Sequence, residues 1–351
     1  MPEVLDQVPL EVSGDLTVAP WQVLLLANVP IAALAYVGIR SGVVPDAAVD
    51  LHRDPVDVVG AVLGTATIVL ALVAPTLSVS RGGSWAPWAA TGGAVVAAVA
   101  FVLRERTARH PLLDLALLAR PLVSSGLAYK AAAGLAVAGL GYLVTLQLQL
   151  AWGWSPAHAA VGMLPQVVVL LAGGRLVGPF VRRVGLERAA WLSAAAVVLG
   201  LAAFAVLGGR GYLAVLLALV LVAAGMRVVG VVAGTSVLRG LPADRTSVGA
   251  ALVDTSSELA SGVGVAATGT ILGALVTGSI AAPGWSAAQH VQFSAAVTVA
   301  GLILTAVAAV LVAYGIVRSR RGVAPQQPVD AEGTRRPRPH VRPSTPSSPR
   351  S

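Results

Sequence analysis

Apolar runs of about twenty residues recur along almost the whole chain, and that is the length an α-helix needs to cross the hydrocarbon of a bilayer. Nine such runs, each closed by charge, Pro or Gly, fall at about 21–39, 56–75, 85–103, 122–150, 156–181, 189–207, 212–238, 248–278 and 291–317. Helices satisfy their own backbone groups in lipid, so segments like these fold as spanning helices. Of the 351 residues, 56% are hydrophobic and 11% charged, and mean hydropathy is +0.81, a balance that cannot cover a water-facing surface. The expected fold class is an all-α polytopic membrane protein of about nine transmembrane helices, with the lipid bilayer as its first partner.

The net charge of +8 belongs to topology, not to nucleic acid. If the runs alternate in direction, one side receives Arg40, Arg53, Arg104, Arg106, Arg109, Arg120, Arg182, Arg183, Arg188, Arg239, Arg245, Arg318, Arg320 and Arg321, and the other only Arg81 and Arg210. The first side is the cytoplasmic one by the positive-inside bias. Tryptophan gives a second reading, since indole prefers the interface: Trp21, Trp85, Trp88, Trp152, Trp154 and Trp285 fall at outer ends, and Trp191 alone at an inner one. The expected localisation is the inner (cytoplasmic) membrane, multi-pass, with the N-terminus outside and the C-terminus cytoplasmic. Residues 1–20, acidic and without a basic residue, do not form a removable signal peptide. Residues 318–351, rich in Arg, Pro and Ser, read as a disordered cytoplasmic tail. Cysteine is absent, which removes disulfides, thiolate metal sites and cysteine nucleophiles. No cofactor and no metal site is expected.

Four segments carry a family resemblance. PWQVLLLANVPIAALAYVGIR, through Trp21, Asn28, Pro30 and Ile31, resembles the opening of the sixth helix of the fourteen-helix drug:proton antiporters of the major facilitator superfamily, with Leu25 in place of an aromatic. RERTARHPLLDLALLAR, through Pro111, Leu112, Leu113 and Asp114, is similar to the cytoplasmic segment before the ninth helix. YLVTLQLQLAWGWSPAHAAVGMLPQ is the most specific match, through Tyr142, Leu143, Gln149, Gly153, Ser155, Pro156, Gly162, Leu164 and Pro165. LPADRTSVGAALVDTSSELASGVGVAATGTIL resembles the loop and thirteenth helix, including Pro242, Thr255, Gly264, Ala266, Gly269 and Thr270.

The resemblance covers about 21–317 and implies helices six to fourteen of that family, a partial major facilitator superfamily fold. It divides the chain into an extracytoplasmic segment 1–20, an orphan helix of the N-terminal bundle at 21–39, two linking helices with cytoplasmic loops at 40–120, a six-helix C-terminal bundle at 121–317 and the tail from 318. The first five helices are expected to be missing. Such transporters rock two bundles around a midplane site, so these residues alone are expected to insert without performing coupled transport. A partner polypeptide or second copy is expected to supply the missing bundle.

Charges inside spans are costly and each calls for a hypothesis. Lys130 lies about 12 Å into its span and is read as a snorkelling side chain. Asp254 and Glu258 stand four apart on one helix face and could relay a proton, although the family more usually carries Asn and Gln there. Arg227 lies at a depth similar to Glu258 on the next helix, which predicts an ion pair. GPFVRRVGLER, through Gly178, Arg183, Gly185 and Arg188, resembles the superfamily's cytoplasmic gating loop, with Arg182 at its acidic position, so the latch is expected to be weakened. Tyr142, Gln147, Gln149 and Trp152 are candidates to line a site for a large amphipathic molecule. The glycine-rich GVGVAATG is no dinucleotide loop, since it lies within a span and no strand precedes it.

The function implied by the resemblance is transmembrane transport: proton-coupled efflux of hydrophobic drugs or metabolites, with a small hydrophobic or cationic substrate and protons as partners, in an N-terminally truncated version. The alternatives are a transport-incompetent membrane fragment and a membrane-embedded enzyme, for which no polar cluster at one interface is visible.

Overall fold

The structure, a computed structural model, describes residues 10–12, 16–18, 26, 28–42, 57–80, 85–109, 111–112, 115–242, 246–278, 280 and 284–322. The chain divides into two compact units, 1–55 and 56–351. The first unit holds an antiparallel pair of three-residue strands, β1 (Leu10–Val12) and β2 (Leu16–Val18), with Leu10 opposite Val18. The helix α1 (Asn28–Gly42) follows, with Arg40 in its last turn. Trp21 and Leu25, on which part of the resemblance rests, lie outside the described residues.

The described residues of the second unit form helices joined by short turns, with no strand among them. Its elements are α2 (Val58–Ser80), α3 (Ala86–Thr107), the short α4 (Leu115–Leu118), α5 (Pro121–Leu146) continued by a π-helical turn (Gln147–Ala151), α6 (Pro156–Ala172), α7 (Gly174–Val184), α8 (Leu186–Leu207), α9 (Tyr212–Gly240), α10 (Thr246–Leu275) and α11 (Ala287–Gly322). Their boundaries have local causes. Pro121 and Pro156 occupy first-turn positions, where no N–H is needed, and the Ser155 hydroxyl accepts from His158 N at 3.3 Å. Gly185 alone separates α7 from α8 and holds φ +82°, which an L side chain rarely adopts.

Six described helices are long and apolar enough to span a bilayer, and α6 with α7 makes a seventh if the bent pair is one span. Nine were expected. The second run yields a shorter apolar helix in this respect, Val58–Ala74, and the described part of the first is only 15 residues long. The fifth expected span is not straight: α6 and α7 meet at 58° across Gly173–Gly174. Paired glycines weaken a helix at that point, and Pro165 in α6 and Pro179 in α7 remove two further backbone donors.

α5 is the hub of this unit, packing on α9, α10 and α11, while α8 packs on α9 and α11. Glycines on α5 let three neighbours approach. A Cβ on Gly126 would stand 2.8 Å from Ala233 O of α9, one on Gly134 2.5 Å from Ser257 O of α10, and one on Gly139 2.6 Å from Leu304 of α11. Close backbone contact through small residues drives helix association where no hydrophobic effect acts. Hydroxyls reinforce the α5–α10 seam, with Ser256 and Ser261 donating to the carbonyls of Leu127 and Gly134. α2 and α3 form a hairpin, and Leu72 of α2 seats it against Gly262 of α10. Outward faces carry exposed Leu171, Leu213 and Val310, as suits a surface bathed in acyl chains.

One end of the unit is tied by arginines. Arg120 donates to Gly240 O at 3.0 Å, and Arg318 donates to Ser124 Oγ at 2.9 Å and to Ala119 O. The start of α5 and the ends of α9 and α11 are thereby on one side, as the alternation of spans requires. α11 runs on through Gly322, so residues 318–322, assigned to the tail above, are helical. The rest of that expected tail lies outside the described residues.

Candidate functional site

Arg227 sits in the middle of α9, 15 residues from Tyr212 and 13 from Gly240, hence about 20 Å from either helix end. Its guanidinium lies against the break between α6 and α7: a Cβ on Gly174 would be 2.6 Å from Nη2. A side chain there would displace the end of this exposed, flexible arginine. Beside it opens a cavity of about 340 Å³ between α6, α7, α8 and α9, walled by Val169, Leu176, Phe180, Leu192 and Val228 among others. Among the described residues no carboxylate stands within ion-pair distance of Arg227. The expected Arg227–Glu258 pair is therefore not formed. Both side chains are exposed, Arg227 beside the break between α6 and α7 and Glu258 on an exposed face of α10, and they do not meet.

Asp254 and Glu258 do share that exposed face, about 12 and 18 Å from the start of α10. An adjoining face about 100° round the helix, with Val253, Ser257 and Gly264, is buried against α5. Lys130 of α5 is half-buried, and its Nζ lies 4.0 Å from where a Cβ on Gly230 of α9 would be. The intramembrane charges thus fall on separate faces and form no single cluster.

The residues expected to line one substrate site also divide. Gln147 is buried, and its Nε2 donates to Gly208 O at 2.7 Å while its Oε1 has no partner. This amide, on the first residue of the π-helical turn, shares with Trp152, Phe293 and Thr298 a cavity of about 160 Å³. Tyr142 lies elsewhere, with its hydroxyl 3.9 Å from where a Cβ on Gly269 of α10 would be. Gln149 is half-buried on the same turn. Trp152 belongs to an aromatic cap at the end of the unit opposite the arginine ties. Trp154 stacks on His158 at 4.1 Å, stands 5.8 Å from Trp152 and 5.5 Å from Tyr212, and Tyr212 donates to Gly162 O at 2.8 Å.

In the expected gating loop, Arg182 and Arg183 are exposed in the last turn of α7, Gly178 lies 3.4 Å from Arg182 Nη1 by its would-be Cβ, and Arg188 is exposed in the first turn of α8. Cations at a helix C-terminus complement its dipole.

Sequence reasoning missed a different polar contact. Asp57 caps α2 through Gly60 N at 3.1 Å, and Arg104 of α3 binds the same carboxylate with Nε at 2.9 Å and Nη2 at 3.0 Å. That guanidinium, together with the Gly60 N–H, holds the Asp57 carboxyl below the usual aspartate range. Glu105 is buried close by, since both Glu105 Oε1 and Asp57 Oδ2 stand within 3.1 Å of where a Cβ on Gly60 would be. An Asp immediately before an apolar run was the available signal.

No protein-family model matches the chain. Among curated proteins it is similar to one of Streptomyces coelicolor named for actinorhodin transport, 34% identical over 173 residues, which is 48% of this chain and 29% of that protein. It is also similar to multidrug resistance protein MdtD of Escherichia coli, 28% identical over 261 residues, 73% of this chain and 54% of that protein. The cephamycin export protein CmcT of Amycolatopsis lactamdurans is 29% identical over 278 residues, 74% of this chain and 54% of that protein. The chain spans about half the length, or less, of these relatives.

Proposed function

We propose, from the premise that this chain is a relative of the drug-efflux transporters of the major facilitator superfamily, that it supplies the carboxy-terminal part of a secondary exporter of hydrophobic drugs or metabolites. The observation that carries this reading is the joint one: relatives named for multidrug resistance and for cephamycin export match about three-quarters of the chain, and the described helices α5 to α11 wrap one bundle around α5. α10 leaves two carboxylates exposed. Charge on an outward face at membrane depth calls for water or a polar partner, and an aqueous site between two bundles provides it.

In this reading Asp254 and Glu258 border the cavity and take up the exchanged proton, while a second bundle, from another polypeptide or segment, closes it. Arg182 and Arg318 face the cytoplasm and the N-terminus faces outward. The chain works in the cytoplasmic membrane as a transporter with no chemical step of its own.

Everted membrane vesicles carrying the chain together with the amino-terminal helices of MdtD test this. Acidifying the interior should drive uptake of lipophilic dyes that an uncoupler abolishes. Asp254→Asn with Glu258→Gln should remove the gradient dependence. Uptake indifferent to the gradient in the unsubstituted pair would refute proton coupling.

A further inference from the structure

We infer that the cleft between α6, α7, α8 and α9 binds an anionic amphiphile, whose acid group pairs with Arg227 while its apolar body fills the cavity. The inference deepens the exporter reading, on which the transport of such a molecule rests, but the binding is measured without transport.

The arginine sits about 20 Å from both ends of α9, near mid-bilayer, where an uncompensated cation is costly. The described carboxylates of this unit are committed elsewhere or face away. Asp57 is held by Arg104 and lies beside Glu105, Glu187 stands in the first turn of α8, and Asp254 and Glu258 are on the exposed face of α10. The guanidinium of this exposed arginine rests against the glycine at 174, where a Cβ would stand 2.6 Å from Nη2 unless the side chain moved.

The same break supplies a second attraction. α7 begins at Gly174 and runs for 11 residues, so the positive end of its dipole lies beside Arg227, although the Leu176 N–H is already donated to Gly173 O at 3.0 Å. Arg175, exposed as the second residue of α7, adds another cation to this turn. The walls are otherwise apolar, from Val169, Leu176, Phe180, Leu192 and Val228, and the volume of about 340 Å³ is at the small end of sites that enclose small molecules.

Depth selects the occupant. The hydrocarbon core is about 30 Å thick, so a phospholipid keeps its phosphate about 15 Å from the midplane, out of reach of a group held at mid-helix. A single-chain or ring-bodied acid carries its charge on the body that enters the cleft. Charge complementarity and depth together point to a diffusible amphiphilic carboxylate.

The test uses the purified full chain in detergent with three fluorescent probes of one apolar body: dansylaminoundecanoic acid, its methyl ester and a trimethylammonium analogue. The acid should bind at least about tenfold more tightly than the ester, one charge-assisted pair being the difference. Arg227→Gln should erase that preference and Arg227→Lys should retain part of it. Ala196→Phe, which narrows the cavity, should weaken acid and ester alike. Melting temperatures separate lost binding from lost folding. If Arg227→Gln does not fold, the acid-to-ester ratio of the unsubstituted chain and the Ala196→Phe variant decide. Equal binding of acid and ester, or an Arg227→Gln variant that folds and keeps the preference, overturns the inference. So does competition by phosphatidylglycerol as strong as by the free acid. Preference for the trimethylammonium probe overturns it while leaving the exporter reading intact. Acid binding that persists where reconstituted transport fails leaves this site standing and removes the exporter reading.

Discussion

Asp57 shows how much a single carboxylate can do at a helix entry. It satisfies the Gly60 N–H of α2 and holds two nitrogens of Arg104, so it joins two helices at one end of their hairpin. Because its folded-state pKa lies below the ordinary value, its contribution to stability is complete above the unfolded aspartate pKa of about 4 and disappears as pH falls through the lower folded value. We expect acidification below pH 4 to lower the melting temperature of the natural protein more than that of an Asp57→Asn variant, measured in detergent. Equal acid sensitivity would mean that the pair contributes nothing. At this scale the sequence was half legible. Spacing placed Arg227 at mid-helix and Asp254 with Glu258 on one face, since both follow from the rise and pitch of a helix. It could not rotate one helix against another, so the partner assigned to Arg227 was the wrong one. Gln147 and Tyr142 were grouped as one site because amide and aromatic groups suit an amphipathic molecule, but five residues apart on a helix they point about 140° apart.

Helix contacts in this unit are set by where side chains are absent. Gly134 faces Ser257 O of α10 so closely that an added methyl would meet a backbone atom at 2.5 Å, whereas Gly234 of α9 has nothing within 4 Å of its would-be Cβ. Gly134→Ala should therefore separate α5 from α10 and cost about 1–3 kcal/mol, while Gly234→Ala should be neutral or stabilising by up to about 1 kcal/mol. Thermal unfolding of the two variants compares them directly, and a harmless Gly134→Ala would contradict the packing of α10 on α5. The spans themselves were legible because a membrane demands twenty apolar residues in a row. The 58° break within the fifth was not, although Gly173 and Gly174 stood in the sequence, because glycine pairs occur in straight helices as well.

For the molecule as a whole, the arginine ties place the start of α5 and the ends of α9 and α11 on one side, and the aromatic cap of Trp152, Trp154 and Tyr212 lies at the other. With no native cysteine to interfere, an impermeant maleimide applied to intact cells should label Arg210→Cys and spare Arg182→Cys; the reverse pattern would invert the topology. The fold class was legible in hydropathy alone, and the likeness to transporters in four segments, since relatives of this chain are named for transport and export. How the bundle is completed was not legible, since alternating access depends on a second body. The most direct measurement of that dependence is substrate-evoked proton movement in liposomes with an internal pH dye. We expect lipophilic probes to evoke uncoupler-sensitive proton movement when the chain is reconstituted with the amino-terminal helices of MdtD, and none when it is reconstituted alone. Full movement by the chain alone, or none from the pair where intact MdtD responds, would contradict the account.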